Sequence, residues 1–409
     1  MKKNRFKLTI LLTLTQLGSG TLSFILSLKI LQQNKSATDF GIVVMVSAIF
    51  SILTSLISGK YIDRFPKKNM MIVAQFLSIV GLILFIFGTG FSDKINLYWV
   101  IALSIILQVS DSIFTTTLMT SAVNIVNKEE ELDEFNSIVE SINGICALIA
   151  PFIASSIFIF LKIDSFIFLE IFFELFAVLL ILNLPLHDSL IEENYDDRDS
   201  DYSLNYVLKY AWKNKLILIL SLSMLSINLL LGSLSIGLPY LILSYFESKT
   251  IFIGIFQITL PVGMMLGAII YPKLNFKKPF YNPIIKSWFL LALSVILLGF
   301  TILIFSNHFW ALSIISFILI TIAGFSISIG KIPLLGYFQK TVPQKIQGRL
   351  FSLLDVMIES SIPLGAGIYG LLFDNFNIYT IFIFSGLILI IFIKISEKKL
   401  RKLTISMND

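Results

Sequence analysis

Gly59-Lys60-Tyr61-Ile62-Asp63-Arg64-Phe65-Pro66-Lys67-Lys68 interrupts two runs, 39–59 and 70–91, that carry almost no charge. Each part of the interruption has a physical use at the edge of a bilayer. A glycine lets a helix end come close to a neighbour. A carboxylate is stabilised by the positive end of another helix's dipole, and Lys or Arg is drawn to an anionic cytoplasmic leaflet. The flanking runs suit the same environment, because an α-helix needs ~20 residues to cross ~30 Å of hydrocarbon. Reading outward from them gives twelve such spans, at 8–32, 39–59, 70–91, 97–125, 136–161, 164–186, 215–246, 250–272, 284–306, 308–338, 350–373 and 376–395.

The basic residues give these spans a direction. Of the 31 Lys and Arg residues, only Lys29, Lys35, Lys94, Lys162 and Lys249 fall in odd-numbered connections, and Lys331 lies inside a span. The others occupy the amino terminus, the even-numbered connections and the carboxyl terminus. That pattern places both termini in the cytoplasm and makes the number of crossings even. The leading Met-Lys-Lys-Asn-Arg-Phe-Lys is like the start of a secretory signal. The apolar run behind it exceeds the ~7–15 residues of a signal core and has no A-x-A-like site, so it reads as the first span.

Composition agrees. The chain has 409 residues, 56% hydrophobic and 14% charged, where a soluble domain carries about 25% charge. Mean hydropathy is +0.88. The net charge of +5 belongs to cytoplasmic loops and is no indication of a nucleic-acid partner. A single cysteine, Cys146, excludes an internal disulfide, and with only His187 and His308 beside it no metal cage is expected. No G-x-x-x-x-G-K-[ST] loop occurs, which argues against direct use of ATP. No cofactor and no covalent catalysis are expected.

The longest connection, 187–214, opens with Asp188, Glu192, Glu193, Asp196, Asp197, Asp199 and Asp201 and closes with the amphipathic stretch Leu204–Trp212. It separates six spans from six. The expected organisation is a bundle at 1–186, a cytoplasmic linker at 187–214, and a second bundle with a cytoplasmic tail at 215–409. The halves echo one another: a charged turn, Lys128–Asn136, leads into a helix with Pro151, and Val342-Pro-Gln-Lys-Ile-Gln-Gly-Arg349 leads into one with Pro363.

The loop at 59–68 resembles the G-x-x-x-D-R-x-G-R-K signature of the major facilitator superfamily, matching it at Gly59, Asp63, Arg64, Lys67 and Lys68, with Pro66 where the second Gly usually stands. The resemblance implies an all-α polytopic membrane protein with twelve transmembrane helices in two pseudo-symmetric six-helix bundles. It implies alternating access about a site near the bilayer midplane. It also implies that Asp63 meets the start of helix eleven, near Arg349–Ser352, and holds the cytoplasmic side shut. The matching loop of the second half, Gly267-Ala-Ile-Ile-Tyr271-Pro-Lys273, has the Gly and a Lys but no Asp, so such a latch is asymmetric.

Cys146-Ala-Leu-Ile-Ala150-Pro151-Phe-Ile-Ala154-Ser155 is similar to a degraded g-x-x-x-G-P-x-x-G-G antiporter motif, with other small residues in place of glycine. Small side chains allow close helix contact, and proline bends the helix. The Arg that many proton-coupled relatives carry on helix four is absent, and Ile105 stands in its place. Segments Val126–Pro151 and Lys331–Gly367 most resemble the macrolide- and drug-efflux branch, which also has a V-P-x-x-x-x-G-R turn, here Val342, Pro343, Gly348 and Arg349.

An ionisable residue inside a span costs at least ~2.5 kcal/mol on insertion scales, so each is a functional candidate. Asp111, in the middle of span four, is placed for a proton or a cationic substrate; the alternative is a polar knot with Ser110, Ser112 or Thr115. Glu140, one turn into span five, reads as a gate or a snorkelling residue. Asp355 and Glu359 share one face of span eleven, and Lys331 at similar depth on span ten is expected to be buried and paired with one of them. Glu170 and Glu174 share a face of span six, which is peripheral in this fold, so they should point inward. Gln16, Gly18 and Gly20 either line a cavity or serve close packing.

Together these features describe a monomeric secondary transporter in the bacterial cytoplasmic membrane. It exports an amphipathic drug-like small molecule, with protons as the coupling ion that antiport implies. Two alternatives remain open: an importer or self-protection exporter of one specific metabolite, and a membrane sensor that keeps the fold without transport.

Overall fold

In hydrocarbon a backbone has no water to bond, so an apolar chain must close its hydrogen bonds internally, and helices do this within one segment. The computed structural model of the chain describes residues 2–62, 65–90, 92, 94–125, 129–158, 160, 162–184, 204–246, 249–274 and 281–405. These form thirteen α-helices, a single 3-10 turn (Tyr271–Lys273) and no strand among the described residues.

The helices are α1 (Lys2–Asn34), α2 (Ala37–Ile62), α3 (Lys67–Thr89), α4 (Leu97–Ile125), α5 (Glu129–Ile157), α6 (Ile163–Leu182), the short α7 (Leu204–Lys213), α8 (Lys215–Tyr245), α9 (Ile251–Ile270), α10 (Tyr281–Phe305), α11 (Phe309–Thr341), α12 (Gln344–Asn375) and α13 (Ile378–Ile405). Among the described residues, ten of the spans are long and apolar enough to cross a membrane. Helix α5 offers the shorter apolar stretch Ile142–Ile157.

Several helices outrun their apolar runs. Helix α5 starts in the acidic segment before residue 136, α12 starts at Gln344, and α13 continues through Lys398-Lys399-Leu400-Arg401-Lys402. Hydropathy marks where hydrocarbon lies, whereas a helix propagates into water as long as each added residue gains a hydrogen bond. The amphipathic stretch after the acidic linker is α7.

The chain divides into two compact units. One is Met1–Glu193 with Ser248–Gly254; the other is Asn194–Glu247 with Ile255–Asp409. In the first, α1 packs on α5, α6, α2 and α4, while α3 lies on α4 and α6. Two apolar clusters build its core. The first includes Leu8, Leu11, Leu12, Met71, Ala74, Phe114, Leu118, Ala177 and Ile181. The second includes Leu22, Ile25, Leu26, Leu82, Phe85, Leu103, Leu107, Phe166 and Ile167.

In the second unit α10 lies between α11 and α13, and α8 packs on α12 and α13. Helices α8 and α12 touch at backbone level. A Cβ added to Gly232 would stand 2.5 Å from the Ala366 nitrogen and from the Gly365 carbonyl carbon, and one added to Gly365 would run into the Leu229 carbonyl oxygen. Without a hydrophobic force between helices in lipid, such close van der Waals contact is what joins them. Outward faces are apolar too: Phe289, Leu293, Leu297 and Phe300 of α10 are exposed, as surfaces toward acyl chains must be.

Replacing Gly365 by Val should therefore separate α8 from α12 and cost ~1–3 kcal/mol of stability. A clear fall in the thermal unfolding midpoint of the detergent-solubilised protein is the expected result. The control is Leu371→Val on the exposed face of α12, and equal midpoints for the two variants would contradict the backbone contact.

Candidate functional site

Between the two apolar clusters of the first unit lies a layer that is not apolar. On α1 it falls between Leu12 and Leu22, on α3 between Ala74 and Leu82, on α4 between Leu107 and Phe114, and on α6 between Ile167 and Ala177. These four intervals contain Gly18 and Ser19, Ser78, Ser110 and Asp111, and Glu170 and Glu174. Four helices thus place their polar residues at one height, enclosed by hydrocarbon side chains above and below.

Helix α6 is built for this layer. Its outer face shows Phe168, Leu169, Phe172, Leu175, Phe176 and Leu179, all exposed, while Glu170 and Glu174 are each only 3% exposed. The spacing of four residues puts both acids on one side, and that side packs on α1 and α3. The acids point inward, as the sequence required. Gly18 of α1 is where Glu170 fits: a Cβ there would lie 2.9 Å from both Cδ and Oε1 of Glu170 and collide with Oε2. Gly20, a half-turn further on, meets α5 instead, with its Cβ position 3.3 Å from the Ala150 methyl group. Both glycines serve close approach.

Serine hydroxyls reach the carboxyl groups of the layer. The Ser19 hydroxyl reaches the Asp111 carboxyl and lies 2.9 Å from the Thr15 carbonyl oxygen. That of Ser78 reaches the Glu174 carboxyl and lies 2.7 Å from Ser110 Oγ. A serine has one proton to donate, so each of these hydroxyls has two acceptors for it. Ser110 donates to the Ala74 carbonyl oxygen, and Ser112 to that of Ser51 at 3.3 Å. Thr115 accepts from Gln16 Nε2 at 3.5 Å. The hydroxyls beside Asp111 in sequence are thus turned to other partners, and its hydrogen bond comes from α1. The Oε2 atom of Glu174 is buried with no hydrogen-bond partner.

No Lys or Arg forms an ion pair with Asp111, Glu170 or Glu174 among the described residues, while Asp111 lies in Coulombic range of both glutamates. Among the described residues, three carboxyl groups without a basic partner share one low-dielectric layer. Protons or a bound cation would neutralise it. Among the described residues no group of His, Cys, Asp and Glu has the geometry to hold a metal ion. Asp111 is less buried than the two glutamates.

The other residues singled out in the sequence are dispersed. Pro151 lies within α5, and Ala150 beside it is buried. Lys68 donates to the Leu182 carbonyl oxygen at 2.7 Å, tying the start of α3 to the end of α6, and Lys67 opens α3. Asp63 and Arg64 lie outside the described residues, and for Gly59, Glu140, Asp355 and Glu359 only the helical backbone is described. Lys331 is exposed on α11, against the expectation of burial. An ammonium at an exposed position is spared the desolvation cost on which the expectation of a partner rested. Glu170 and Glu174, set aside as merely inward-facing, prove to be the most deeply buried ionisable side chains of the layer. Their spacing was the available signal.

The Major Facilitator Superfamily model matches residues 8–361. Macrolide efflux protein A of Streptococcus pyogenes is 21% identical over 382 residues, covering 90% of each chain. Among solved structures, a bacterial homologue of the iron transporter ferroportin in an inward-facing state aligns with a TM-score of 0.70 at 17% identity, covering 97% of this chain and 99% of that one. A bacterial homologue of the human lysosomal transporter Spinster gives 0.69 at 11% identity, covering 97% and 95%. The nucleoside transporter NupG gives 0.68 at 13%, covering 97% and 98%. At these identities the structural likenesses establish the fold.

Gly18→Ala is expected to push Glu170 out of its seat and lower stability by ~1–3 kcal/mol. In a thermal-unfolding double-mutant cycle with Glu170→Ala, the two changes should couple by at least ~0.5 kcal/mol. Strictly additive shifts would dissolve the contact.

Proposed function

Because the chain belongs to the Major Facilitator Superfamily, we propose that it is a secondary active exporter of amphipathic, macrolide-type compounds, driven by exchange for protons across the bacterial cytoplasmic membrane with both termini inside. Membrane embedding, a small-molecule cargo and transport in place of covalent catalysis come with the family. The cargo class is carried over from Macrolide efflux protein A, which matches over 90% of both chains.

The observation that carries the coupling is the uncompensated acidic layer. A bundle that only had to be stable would gain by filling this space with apolar side chains, because replacing buried ionic groups with well-packed hydrophobic ones is often neutral or stabilising. In this reading Asp111 exchanges a proton, Ser19 turns its single proton between the Thr15 carbonyl oxygen and Asp111, and Ser78 turns its own between Ser110 and Glu174. Gln16 and Glu140 belong to the same path in the first unit, and Lys331, Asp355 and Glu359 supply the charged groups of the second. Ala150 and Pro151 form a close-packed bend. The loop with Gly59, Asp63, Arg64, Lys67 and Lys68 gates the cytoplasmic side, and the protein works as a monomer.

Accumulation of a panel of radiolabelled macrolides and fluorescent amphiphiles, in cells with and without the protein, tests this directly. Expression should lower accumulation of at least one compound, and an uncoupler added midway should restore it. Asp111→Asn should cut efflux by about tenfold or more, in keeping with the loss of a positioned proton-transfer group. Asp63→Asn should impair efflux while leaving the amount of folded protein unchanged. Unchanged accumulation across the whole panel would defeat the export reading, and wild-type efflux in Asp111→Asn would remove that residue from the proton path.

A further inference from the structure

The second unit contains a recess of about 530 Å³ where the C-terminal ends of α8 and α12 meet the start of α13. Its walls include Tyr240, Ser244 and Tyr245 from α8, and Phe373, Asp374 and Phe376 around the end of α12. The volume is in the range of small-molecule sites. Among its described lining side chains, only that of Asp374 carries a full charge.

The chemistry of this recess favours one kind of guest. Tyr240 and Phe373 lie with ring centroids 6.1 Å apart at 32°, a tilted stack at the base, while Tyr245 and Phe376 stand exposed at the rim. Aromatic faces attract cations through the ring quadrupole. Two helices also end here, α8 at Tyr245 and α12 at Asn375, and each brings the negative end of its dipole, against the single positive end of α13 at Ile378. The carboxylate of Asp374, in Coulombic range of Tyr240, adds a full negative charge. Inorganic cations are poorly served, since no metal-holding group exists among the described residues. The greasy rim suits an organic ion with apolar substituents.

We propose that this recess binds lipophilic organic cations, of the quaternary or protonated-amine class. The charge pattern of the sequence places the connections after α8 and α12 on the outer face of the membrane. The recess is therefore a receiving site for cationic cargo on the exit side, a role that rests on the export reading; the binding itself does not.

Tetraphenylphosphonium and tetraphenylborate have the same shape and opposite charge, so equilibrium dialysis of each against the full-length protein in detergent micelles isolates the electrostatic preference. The phosphonium should be retained in preference to the borate. Asp374→Asn and Phe376→Ser, both at exposed positions where folding is not at stake, should each weaken phosphonium binding by about tenfold, the order expected when an ion pair or a cation–π contact is lost. Leu371→Val, on the exposed face of α12, should leave it unchanged. Equal retention of the borate would overturn the proposal. So would phosphonium binding that survives Asp374→Asn yet vanishes in Asp111→Asn, and in that case export itself would be untouched. Conversely, phosphonium binding lost in Asp374→Asn, in a protein that exports nothing, would leave the recess standing and defeat only its role in export.

Discussion

Everything distinctive in the first unit is organised around carboxyl groups held between two slabs of hydrocarbon side chains. Glu170 and Glu174 are buried on α6, Asp111 faces them from α4, and no basic group offsets any of them among the described residues. The surrounding sequence is arranged to tolerate this. Gly18 has no side chain because a carboxyl group occupies its place, and Ser19 and Ser78 sit at the same height because only short hydroxyls can donate there without displacing the helices. The apolar clusters on either side restrict access of water to the layer. Charge in it is therefore expensive, and anything that brings or removes charge acts with corresponding force on how these helices pack.

The two units solve the problem of joining helices in lipid by one means. Backbone contacts at Gly232 and Gly365, at Gly267 against Phe325, and at Gly299 against Tyr379 lock α8 to α12, α9 to α11 and α10 to α13. The first unit adds Gly20 against Ala150 of α5. Glycine is a poor helix former in water, but in a membrane its cost is offset by contact that no larger residue permits. Prolines at 151, 239, 261, 333 and 363 remain inside helices for a related reason: packed neighbours and the absence of water limit what a broken hydrogen bond can do.

Much of this was legible beforehand, and the limits are instructive. Apolar runs revealed the spans, because hydrocarbon thickness acts on the chain one segment at a time. Helix ends were less visible: nothing in hydropathy says that α13 continues through its basic tail, since that extension is a matter of backbone hydrogen bonding outside the bilayer. The inward orientation of Glu170 and Glu174 followed from their spacing. Their partners did not, because the match of Gly18 to Glu170 joins residues far apart in the chain and is fixed by how α1 lies on α6. For Lys331 the reasoning assumed that a residue in the middle of a span is enclosed; exposure on a helix depends on which neighbours cover it, and no periodicity in α11 alone encodes that.

The inside-out character of α6 bears on how the polypeptide is made. As α6 leaves the ribosome, it must enter the membrane with two carboxyl groups along one side, an unfavourable passenger by itself. Its hosts, α1, α3 and α4, precede it in the chain. The hydroxyl groups they offer at Ser19 and Ser78 are already waiting when the translocon releases α6. The order of synthesis thereby offers the two carboxyl groups a polar surface as soon as the segment arrives.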